Sequence, residues 1–254
     1  MESVRKPFQG VVNIIRFNWH FYILSGVVVL LLLTLSYNIS NPLSLYLTIL
    51  SVLIAGVILI SLLASVYVYD LSNLYKLSWL DVLKKNSCSS IINIHAGFDE
   101  TSILLKDKFP EASLTVFDFY DPLKHTEISI KRARKAYPSY PNTQKTGTSN
   151  FKLPDNYADK IFAILAAHEI RNEHERITFF KEINRVLKPQ GEVVVTEHLR
   201  NLPNFLVYNI GFFHFLPKSS WKNVFKRSGF VIVKEIKITP FITTFILEKN
   251  GAAS

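Results

Sequence analysis

The chain has 254 residues, of which 48% are hydrophobic, and it carries a formal net charge of +9 at pH 7. Its one cysteine, Cys88, excludes a disulfide framework and a cysteine metal site, which fits a reducing, cytoplasmic side. The basic balance is compatible with two anionic partners, nucleic acid or an anionic membrane surface. No nucleic-acid-binding motif accompanies the charge, so no nucleic acid partner is expected.

The first element is a long uncharged region, which contains no Asp, Glu, Lys or Arg between Phe17 and Tyr69. Its two apolar blocks are separated by the turn-forming residues 36–42, SYNISNP. A bilayer core needs roughly 20 apolar residues per helix. The pattern therefore predicts an N-terminal membrane hairpin within residues 1–70, with helices over about 19–37 and 43–69. A soluble core hairpin and a cleaved signal peptide are disfavoured, because neither helix has a polar face and the second block follows at once.

Basic residues flank the two outer ends of this hairpin, and the turn between the helices has none. They are Arg5, Lys6 and Arg16 before the first helix, and Lys76, Lys84 and Lys85 after the second. Because Lys and Arg are enriched on the cytoplasmic side of membrane helices, both termini and the domain after Asp70 are predicted to be cytoplasmic, at a bacterial inner membrane. The lipid bilayer is thus one expected partner.

Residues 71–88 follow as a connector with a leucine at every third position from Leu71 to Leu83. This amphipathic pattern predicts a segment that lies either on the membrane or on the following domain, and periodicity does not choose between them. A second ambiguous feature is the basic run Lys131, Arg132, Arg134 and Lys135. It is either a membrane-facing patch or an ordinary solvated helix face.

Residues 89–250 alternate between strand and helix patterns, which predicts an α/β domain with a mostly parallel sheet. The predicted sheet has seven strands, with an antiparallel edge strand supplied by a terminal hairpin. The predicted strands are 90–95, 113–118, a short one near 143–147, 160–166, 192–197, 230–237 and 241–248. The predicted helices are 100–109, 122–136 and 172–188, with a mixed segment over 202–228. Residues 188–191, KPQG, are expected to stop the third helix with a positive-φ turn at Gly191.

The segment from Leu153 to His198 contains LPDNYADKIF, leading into a strand, and RVLKPQGEVVV, leading into the next. It closely resembles the second half of S-adenosylmethionine-dependent methyltransferases of the Rossmann-like class, with a type 11 domain. The resemblance implies methyl transfer, with S-adenosylmethionine as the cofactor.

The same resemblance aligns residues 92–99 with the family's first motif, an acidic residue followed by G-x-G-x-G. Asn93 stands where the acidic residue is found, His95 and Asp99 replace the outer glycines, and Gly97 remains. Two outcomes are open: the polar residues crowd a declining site, or they have been recruited. In the second case His95 would hydrogen-bond the cofactor carboxylate and Asp99 would cap the following helix.

The remaining cofactor residues follow the other strands. Asp118 ends the second strand, where a carboxylate can accept hydrogen bonds from both ribose hydroxyls. The alternative is an Asx turn or helix cap ahead of Pro122. Phe117, Phe119 and Tyr120 are candidates for stacking on the adenine. The resemblance places Thr148 and Ser149 at the adenine amine, and Ala166 and Ala167 at the methionine end.

Histidines are the candidate catalytic bases, because a phenol or hydroxyl acceptor benefits from a base that titrates near pH 7. The candidates are His198, His168 and His214, in that order. The segment 198–217 alternates amides and histidines with large apolar groups, so it is either a substrate wall or a helix packed on the sheet. No metal is expected, because His168, Glu169, Glu173 and His174 lack metal-binding spacing and exposed helix charges account for them.

The sequence therefore predicts a membrane-anchored methyltransferase that acts on a lipid, a quinone or another amphipathic small molecule at the cytoplasmic face. The alternative is a catalytically inactive binding or scaffold protein with a methyltransferase fold at the membrane. A basic domain that binds nucleic acid at the membrane is a third possibility, supported by charge alone.

Overall fold

A computed structural model describes residues 5–84, 88–125 and 127–251. Lys85 and the rest of 85–87, part of the predicted connector, lie outside the described residues, as do residues 1–4 of the predicted hairpin unit. The α-helices are α1 Gln9–Asn38, α2 Leu43–Val66, α3 Ser102–Lys108, α4 Ile128–Ala136, α5 Glu173–Val186, α6 Leu202–Tyr208 and α7 Lys218–Arg227. The strands are β1 Ser90–His95, β2 Ser113–Asp118, β3 Gln144–Lys145, β4 Ala158–Ile164, β5 Leu187–His198, β6 Phe230–Lys237 and β7 Ile242–Lys249.

The strands form one seven-stranded sheet in the order β3-β2-β1-β4-β5-β7-β6. The first five are parallel neighbours, and β7 runs antiparallel to both β5 and β6. Strand β1 is an apolar run that is buried along its whole length, as expected for a parallel strand covered on both faces. This confirms the mostly parallel seven-stranded α/β sheet predicted from the sequence, with antiparallel pairing at one edge.

The passage from α5 into β5 differs from its prediction. Helix α5 ends at Val186 and β5 begins at Leu187, so the KPQG residues belong to the strand. Gly191 does not have a positive φ. A Cβ at this position would lie 2.7 Å from the Leu187 side chain and 2.9 Å from the Asp159 carbonyl oxygen. The predicted positive-φ turn is therefore wrong, and glycine serves here to allow a close approach between chain segments.

The connector packs on the domain. Leu74, Leu77, Leu80 and Leu83 are buried, and only Ser78–Val82 forms a short 3-10 turn. Leu77, Leu80 and Leu83 belong to the same apolar cluster as the β1 and β4 side chains. Burial in this cluster accounts for the three-residue spacing, so the described leucines after Leu71 lie on the domain.

Helix α1 is divided by a kink at Asn18, where φ and ψ leave the helical region and the side chain amide donates to the Ile14 carbonyl, at 3.0 Å. The part before the kink docks on the globular domain and buries Val11, Asn13 and Phe17. The part from Trp19 onward is largely exposed. The helix thus begins ten residues before the predicted start at 19, and Arg16, predicted as a flank, lies inside it.

The exposed part of α1 packs against α2 as a hairpin. Ser36 Oγ lies 3.0 Å from Ser44 Oγ and 2.7 Å from Thr48 Oγ1, so small polar side chains join the two helices. Residues 9–38 and 43–71 are long and apolar enough to cross a bilayer, by length and composition. Only 6% and 17% of their most apolar windows are buried, whereas a helix in a soluble core would be mostly buried.

The two outer ends of the hairpin are fastened to each other and to the domain. The Asp70 carboxylate, just after α2, accepts hydrogen bonds from the backbone amides of Gly10 (2.7 Å) and Val11 (2.9 Å). Asp70 therefore satisfies two of the free amides at the start of α1, and its charge complements the positive end of that helix. Arg5 donates to Glu100, in the loop after β1, at 2.7 Å. The start of the hairpin is thus anchored beside the sheet.

Candidate active site

A cavity of about 290 Å³ lies at the carboxyl edge of the sheet, where ligands bind in open parallel sheets. Its floor is formed by residues that follow β1, β4 and β5, and its roof by the docked part of α1. Roof residues are Gly10, Asn13, Ile14, Phe17 and Asn18. Floor and wall residues include Tyr69, Tyr75, Phe98, Glu100, Ile164, Leu165, His168, Glu169, His198, His214 and Phe215. All three histidines predicted as catalytic bases therefore line one cavity.

His198, at the end of β5, is held in a single tautomer. Asn204 donates its amide hydrogens to the Leu199 and Phe241 carbonyls, which turns its oxygen toward His198 Nδ1 at 3.2 Å. His198 Nδ1 thus carries the proton, and Nε2 accepts a hydrogen bond from the Tyr69 hydroxyl at 2.8 Å. Burial lowers the pKa of His198 to about 3, so the ring is neutral at pH 7 but is a weak base.

Tyr69 is a site residue that the sequence prediction missed. It lies in the π-helical turn Tyr67–Leu71 that ends the second apolar block. The turn brings the Tyr69 hydroxyl to the cavity. Its partner there, His198, lies 129 residues later in the sequence. An aromatic residue at the end of an apolar block indicates an interfacial position, and no local signal indicates this long-range contact.

His168 follows β4 and lies between two carboxylates. Its Nδ1 donates to Glu197 at 2.6 Å, and its Nε2 lies 3.3 Å from Glu169. Burial disfavours the charged ring, but Glu197 and Glu169 outweigh it and raise the pKa of His168 to about 10. Both ring nitrogens of His168 are therefore protonated at pH 7, so the ring cannot act as a base. The Glu197 carboxylate, fully buried at the end of β5, was not predicted.

His214 approaches the same cluster from the segment after α6. Its Nδ1 lies 3.0 Å from Glu127, and its Nε2 lies 3.6 Å from Glu169. Burial lowers the pKa of His214, but both carboxylates raise it above its ordinary value overall. The side chain of Arg171 also lies against the ring and donates to the His214 carbonyl at 2.5 Å.

The predicted interpretation of this region as exposed helix charges is correct for one pair and wrong for the other. His174 is exposed on α5, and Glu173 pairs with Arg227 on the surface. His168 and Glu169 instead lie in a 3-10 turn before α5 and converge on the cavity. The sequence did not indicate this, because their partners come from three other elements.

The loop after β1 is held by its own polar side chains. His95 Nδ1 accepts a hydrogen bond from the Gly97 amide at 3.0 Å, and Gly97 has a φ of +100°. Asn93 donates to the hydroxyls of Thr101 (2.9 Å) and Ser102 (2.8 Å), so it braces the loop. Asp99 accepts from the amides of these last two residues at 2.9 Å, which is the predicted helix-capping role.

Asp118 is already engaged. Its carboxylate accepts from the Tyr120 amide at 2.9 Å, the Asx turn that was the alternative prediction, and from Arg134 at 2.6 Å. The Arg134 guanidinium lies 4.3 Å from the centre of the Tyr120 ring. A Cβ at Gly97 would lie 2.6 Å from Arg134 Nη1. Arg134 thus fills the space above the glycine loop where the resemblance places the ribose.

Two residues of the basic run on α4, Arg132 and Arg134, form neither the membrane-facing patch nor the solvated helix face that the sequence predicted. Arg134 points into the domain toward Asp118, and Arg132 donates to the Phe17 carbonyl at 2.6 Å. Lys131 and Lys135 remain exposed. Two of the four charges thus hold α1 and the cofactor edge, and two face solvent.

A second cavity, of about 260 Å³, lies beyond the ion pair of Asp118 and Arg134. Thr148, predicted at the adenine amine, lines it and donates to Glu175 at 2.7 Å. Glu175, at the start of α5, places a carboxylate beside Thr148 and is also paired with Lys124 at 2.6 Å. Phe119 and Tyr120, which are predicted to stack on the adenine, also line this cavity.

Four predicted cofactor residues lie elsewhere. Ser149 is exposed and lines neither cavity. Phe117 stacks on Phe151 inside the core, at 5.2 Å between ring centres. Ala166 and Ala167 are buried in the same core cluster, and their neighbours Leu165 and His168 line the cavity instead. These residues lie beyond the end of β4, and Ala167 begins a 3-10 turn, so strand alternation does not decide which of them face the cavity.

Several buried polar atoms around the loop have no hydrogen-bond partner among the described residues. They are the Asn93 carbonyl oxygen, His95 Nε2 and the second Asp99 carboxylate oxygen. His95 Nε2 is a free donor, because Nδ1 accepts from Gly97 and burial lowers the pKa of the ring. A polar ligand that brings its own acceptors and donors would satisfy these atoms. The residues therefore fit an S-adenosyl group, provided that the Arg134 side chain leaves the space above Gly97.

Comparison with known proteins agrees with this geometry. The family model described as a methyltransferase domain matches residues 100–195. The globular part of the chain thus contains a segment, from the loop after β1 to within β5, that matches a methyltransferase domain. The match begins just after the loop 95–99, the part of the first motif that departs from the family pattern. No curated protein sequence matches the chain.

Two solved structures share the fold of this methyltransferase domain. The PH0226 protein from Pyrococcus horikoshii OT3 is 16% identical, with a TM-score of 0.51 over 68% of this chain and 87% of that chain. Human N-acetylserotonin methyltransferase, in complex with SAM, is 14% identical, with a TM-score of 0.51 over 76% of this chain and 55% of that chain. The family and fold predicted from the sequence are confirmed, and the match supports S-adenosylmethionine as the predicted cofactor.

Proposed function

We propose that this methyltransferase is anchored in a membrane by its hairpin and transfers a methyl group to an amphipathic acceptor such as a lipid or a quinone. One observation carries the proposal: the 290 Å³ cavity is built jointly by the sheet edge and by the docked part of α1. An acceptor in this cavity contacts the same helix that continues, after Asn18, into the apolar hairpin. A membrane-embedded molecule can therefore reach the site along α1.

A second surface supports the same location. Large apolar side chains are exposed along α6 and the turn that follows it. Helix α6 contacts α2 near the base of the hairpin. The exposed side chains are Leu202, Phe205, Leu206, Ile210 and Phe213. Exposed apolar patches of this kind mark interaction surfaces, and this one is continuous with the exposed hairpin. We therefore assign it to the interface of the bilayer, with the domain on the cytoplasmic side.

S-adenosylmethionine, when bound, supplies an electrophilic methyl group on a sulfonium. In the proposed complex Asp118 accepts from the ribose hydroxyls after Arg134 has moved away. Thr148 and Glu175 hold the adenine amine, and His95 Nε2 donates to the cofactor carboxylate. Methyl transfer depends mainly on holding the acceptor in line with the methyl group, which the cavity roof and floor do from two sides.

His198 and Tyr69 position the acceptor at the floor of the cavity. The buried neutral His198 accepts a hydrogen bond from the Tyr69 hydroxyl, which fixes the direction of the hydroxyl oxygen. That oxygen can accept a hydrogen bond from an acceptor hydroxyl or amine. With a pKa near 3, His198 does not deprotonate an ordinary hydroxyl, so we assign it an orienting role.

The test uses the purified full-length protein in detergent or lipid nanodiscs with methyl-labelled S-adenosylmethionine. Extracted membrane lipids, including quinones, are offered as one acceptor pool, and water-soluble amines and phenols as another. We expect label in the organic-soluble fraction. Label found only in the water-soluble fraction would contradict the amphipathic acceptor. A reporter fused to the C-terminus should be active in the cytoplasm, and an extracytoplasmic reporter would contradict the orientation.

The ion pair between Asp118 and Arg134 favours a second candidate, an inactive scaffold protein whose nucleoside position is filled by its own side chain. Titration with S-adenosylmethionine to millimolar concentration separates the two. Binding by the wild type supports the enzyme, whereas binding by an Arg134→Ala variant alone supports the scaffold, because the native side chain then excludes the cofactor. The scaffold is also supported if neither protein binds while both remain folded.

A further inference from the structure

We propose that His168, Glu169 and His214 form a binding site for one divalent transition-metal ion of the zinc class in the wall of the cavity. Their ligand atoms, two imidazole nitrogens and one carboxylate oxygen, lie within 4.8 Å of one another. Two imidazoles with one carboxylate are a donor set that zinc accepts in catalytic sites. The site requires only residues of this chain and does not depend on the identity of the methyl acceptor.

Two of the three donor spacings are close to those around a tetrahedral ion. Nitrogen and oxygen ligands at about 2.0–2.1 Å from zinc stand about 3.3–3.4 Å from each other. Glu169 Oε1 lies 3.3 Å from His168 Nε2 and 3.6 Å from His214 Nε2. Small side-chain rotations are therefore enough to bring the three atoms around a common centre.

Outer carboxylates orient both imidazoles. His168 donates its other nitrogen, Nδ1, to the fully buried Glu197 at 2.6 Å. The Glu197 carboxylate also accepts from the His168 amide at 3.2 Å, so this partner is fixed by two bonds. His214 Nδ1 lies 3.0 Å from Glu127. A carboxylate on the distal nitrogen is the usual arrangement behind a metal-bound histidine, because it sets the tautomer and leaves Nε2 for the metal.

Two features of the metal-free protein must change when the ion binds. Any proton on a coordinating imidazole nitrogen must leave, as it does at any histidine metal site. The Arg171 guanidinium, which lies 2.8 Å from His214 Nε2, moves away from that nitrogen. Arg171 is largely exposed and can turn to solvent, where it remains close to Glu127. The divalent ion takes the place of imidazole protons among the carboxylates, while Arg171 keeps its charge beside Glu127.

The open side of the site faces the cavity, since all three ligands line it. Three protein ligands leave a fourth position for water or for an acceptor oxygen, as in catalytic zinc sites. An ion held by these three residues would lower the pKa of a hydroxyl bound at the fourth position.

The experiment uses the untagged, chelator-treated full-length protein in detergent. Zinc is titrated by calorimetry, and cobalt is added separately so that its visible absorption reports the coordination geometry. We expect one equivalent of zinc and strong cobalt bands typical of tetrahedral coordination. The proposal would be overturned if zinc does not bind, or if the cobalt absorption is as weak as that of an octahedral complex.

Variants localise the ion. His214→Ala and Glu169→Gln should each weaken zinc binding at least about tenfold, and Glu197→Gln should do so by about 10–100-fold through His168. His174→Ala, at an exposed histidine on α5, is the matched control and should bind like the wild type. Equal affinity in His214→Ala, Glu169→Gln and the control would refute the site. Thermal melting verifies that each variant is folded, and the cobalt spectrum of the wild type tests the geometry without any variant.

Discussion

The carboxyl edge of the sheet has two halves that treat their charges in opposite ways. At the ends of β1 and β2, Asp118 is paired with Arg134, and the space above Gly97 is filled by the arginine. At the ends of β4 and β5, carboxylates and imidazoles converge on an open cavity roofed by α1. The first half is closed by its own side chain, whereas the second is open. In the proposed complex, cofactor binding therefore requires the Arg134 side chain to move, whereas the acceptor enters a cavity that already exists.

The largest expected effect concerns the open half. Glu197→Gln leaves the buried His168 without its closest carboxylate, and breaking a buried pair costs about 3 kcal/mol of unfolding free energy. A pKa raised from 6.5 to about 10 in the folded state means that this stabilisation is complete below pH 6.5 and is lost as the pH rises through 10. Thermal midpoints of metal-free protein between pH 6 and 10 should therefore fall in the wild type. A variant whose midpoint falls as steeply as that of the wild type would show that Glu197 does not hold the proton.

The roof of the open half is tested at a glycine. In Gly10→Ala the new Cβ would lie 2.4 Å from the Tyr69 Cβ and 3.0 Å from the Asp70 carboxylate. Because a Cβ cannot move without its backbone, we expect a cost of about 1–3 kcal/mol and loosening of the first turns of α1. Gly26→Ala, later in the same helix, meets nothing within 4 Å and is the control. Limited proteolysis near Arg16 reports the difference, and equal protection of both variants would contradict the docked roof.

The closed half is tested by removing the arginine. Arg134→Ala frees Asp118 and the space above Gly97, so we expect S-adenosylmethionine to bind about tenfold tighter, equivalent to about 1.4 kcal/mol. Lys135→Ala removes a charge from an exposed position on the same helix and should leave the affinity unchanged. Weaker binding by Arg134→Ala than by Lys135→Ala would show that the arginine holds the cofactor instead of excluding it. Asp118→Ala should weaken binding by about 1–3 kcal/mol if the ribose assignment is correct.

The smallest effect is expected at the floor of the cavity. Tyr69→Phe removes one hydrogen bond to His198, worth about 1 kcal/mol, and should lower the turnover of a hydroxyl acceptor several-fold with little change in cofactor affinity. Tyr67→Phe, two residues earlier in the same turn, is the control. If the two variants have the same turnover, Tyr69 does not orient the acceptor.

The regular elements could be predicted from the sequence because each depends on local patterns. Strands β1 and β2 have the bounds that their apolar runs predicted, and β6 does as well. The predicted turn at residues 188–191 was wrong because proline and glycine usually indicate a break. Here they continue β5, in which the Leu187 side chain leaves no room for a Cβ at Gly191. The predicted start of α1 was ten residues too late because residues 9–17 are polar enough to resemble a flank. Their burial depends on Phe98 and Tyr137, which lie far along the chain and contact the Phe17 ring.

Site residues were predictable where a strand ends and unpredictable where distant elements meet. Asp118 and His198 follow apolar strands, and both lie at the ligand edge as predicted. The neutralisation of Asp118 by Arg134 crosses from a strand to a helix 16 residues later, and a basic run alone does not reveal which of its charges turns inward. For Glu197, a signal did exist: a carboxylate after the apolar run VVVT is costly to bury without a partner, which indicates a specific role.

The kink at Asn18 has a mechanical consequence for an enzyme held in a bilayer. Hydrophobic helices adapt to membranes of different thickness by tilting. Residues 9–17 are clamped by Asp70 at one end and by Arg132 at the other, so a tilt of the hairpin bends the chain at Asn18 and does not displace the cavity roof. In the proposed membrane-anchored enzyme, bending at the kink would leave the geometry of the cavity unchanged when the lipid composition around the hairpin changes. An enzyme built in this way should keep the same acceptor preference in thin and thick membranes.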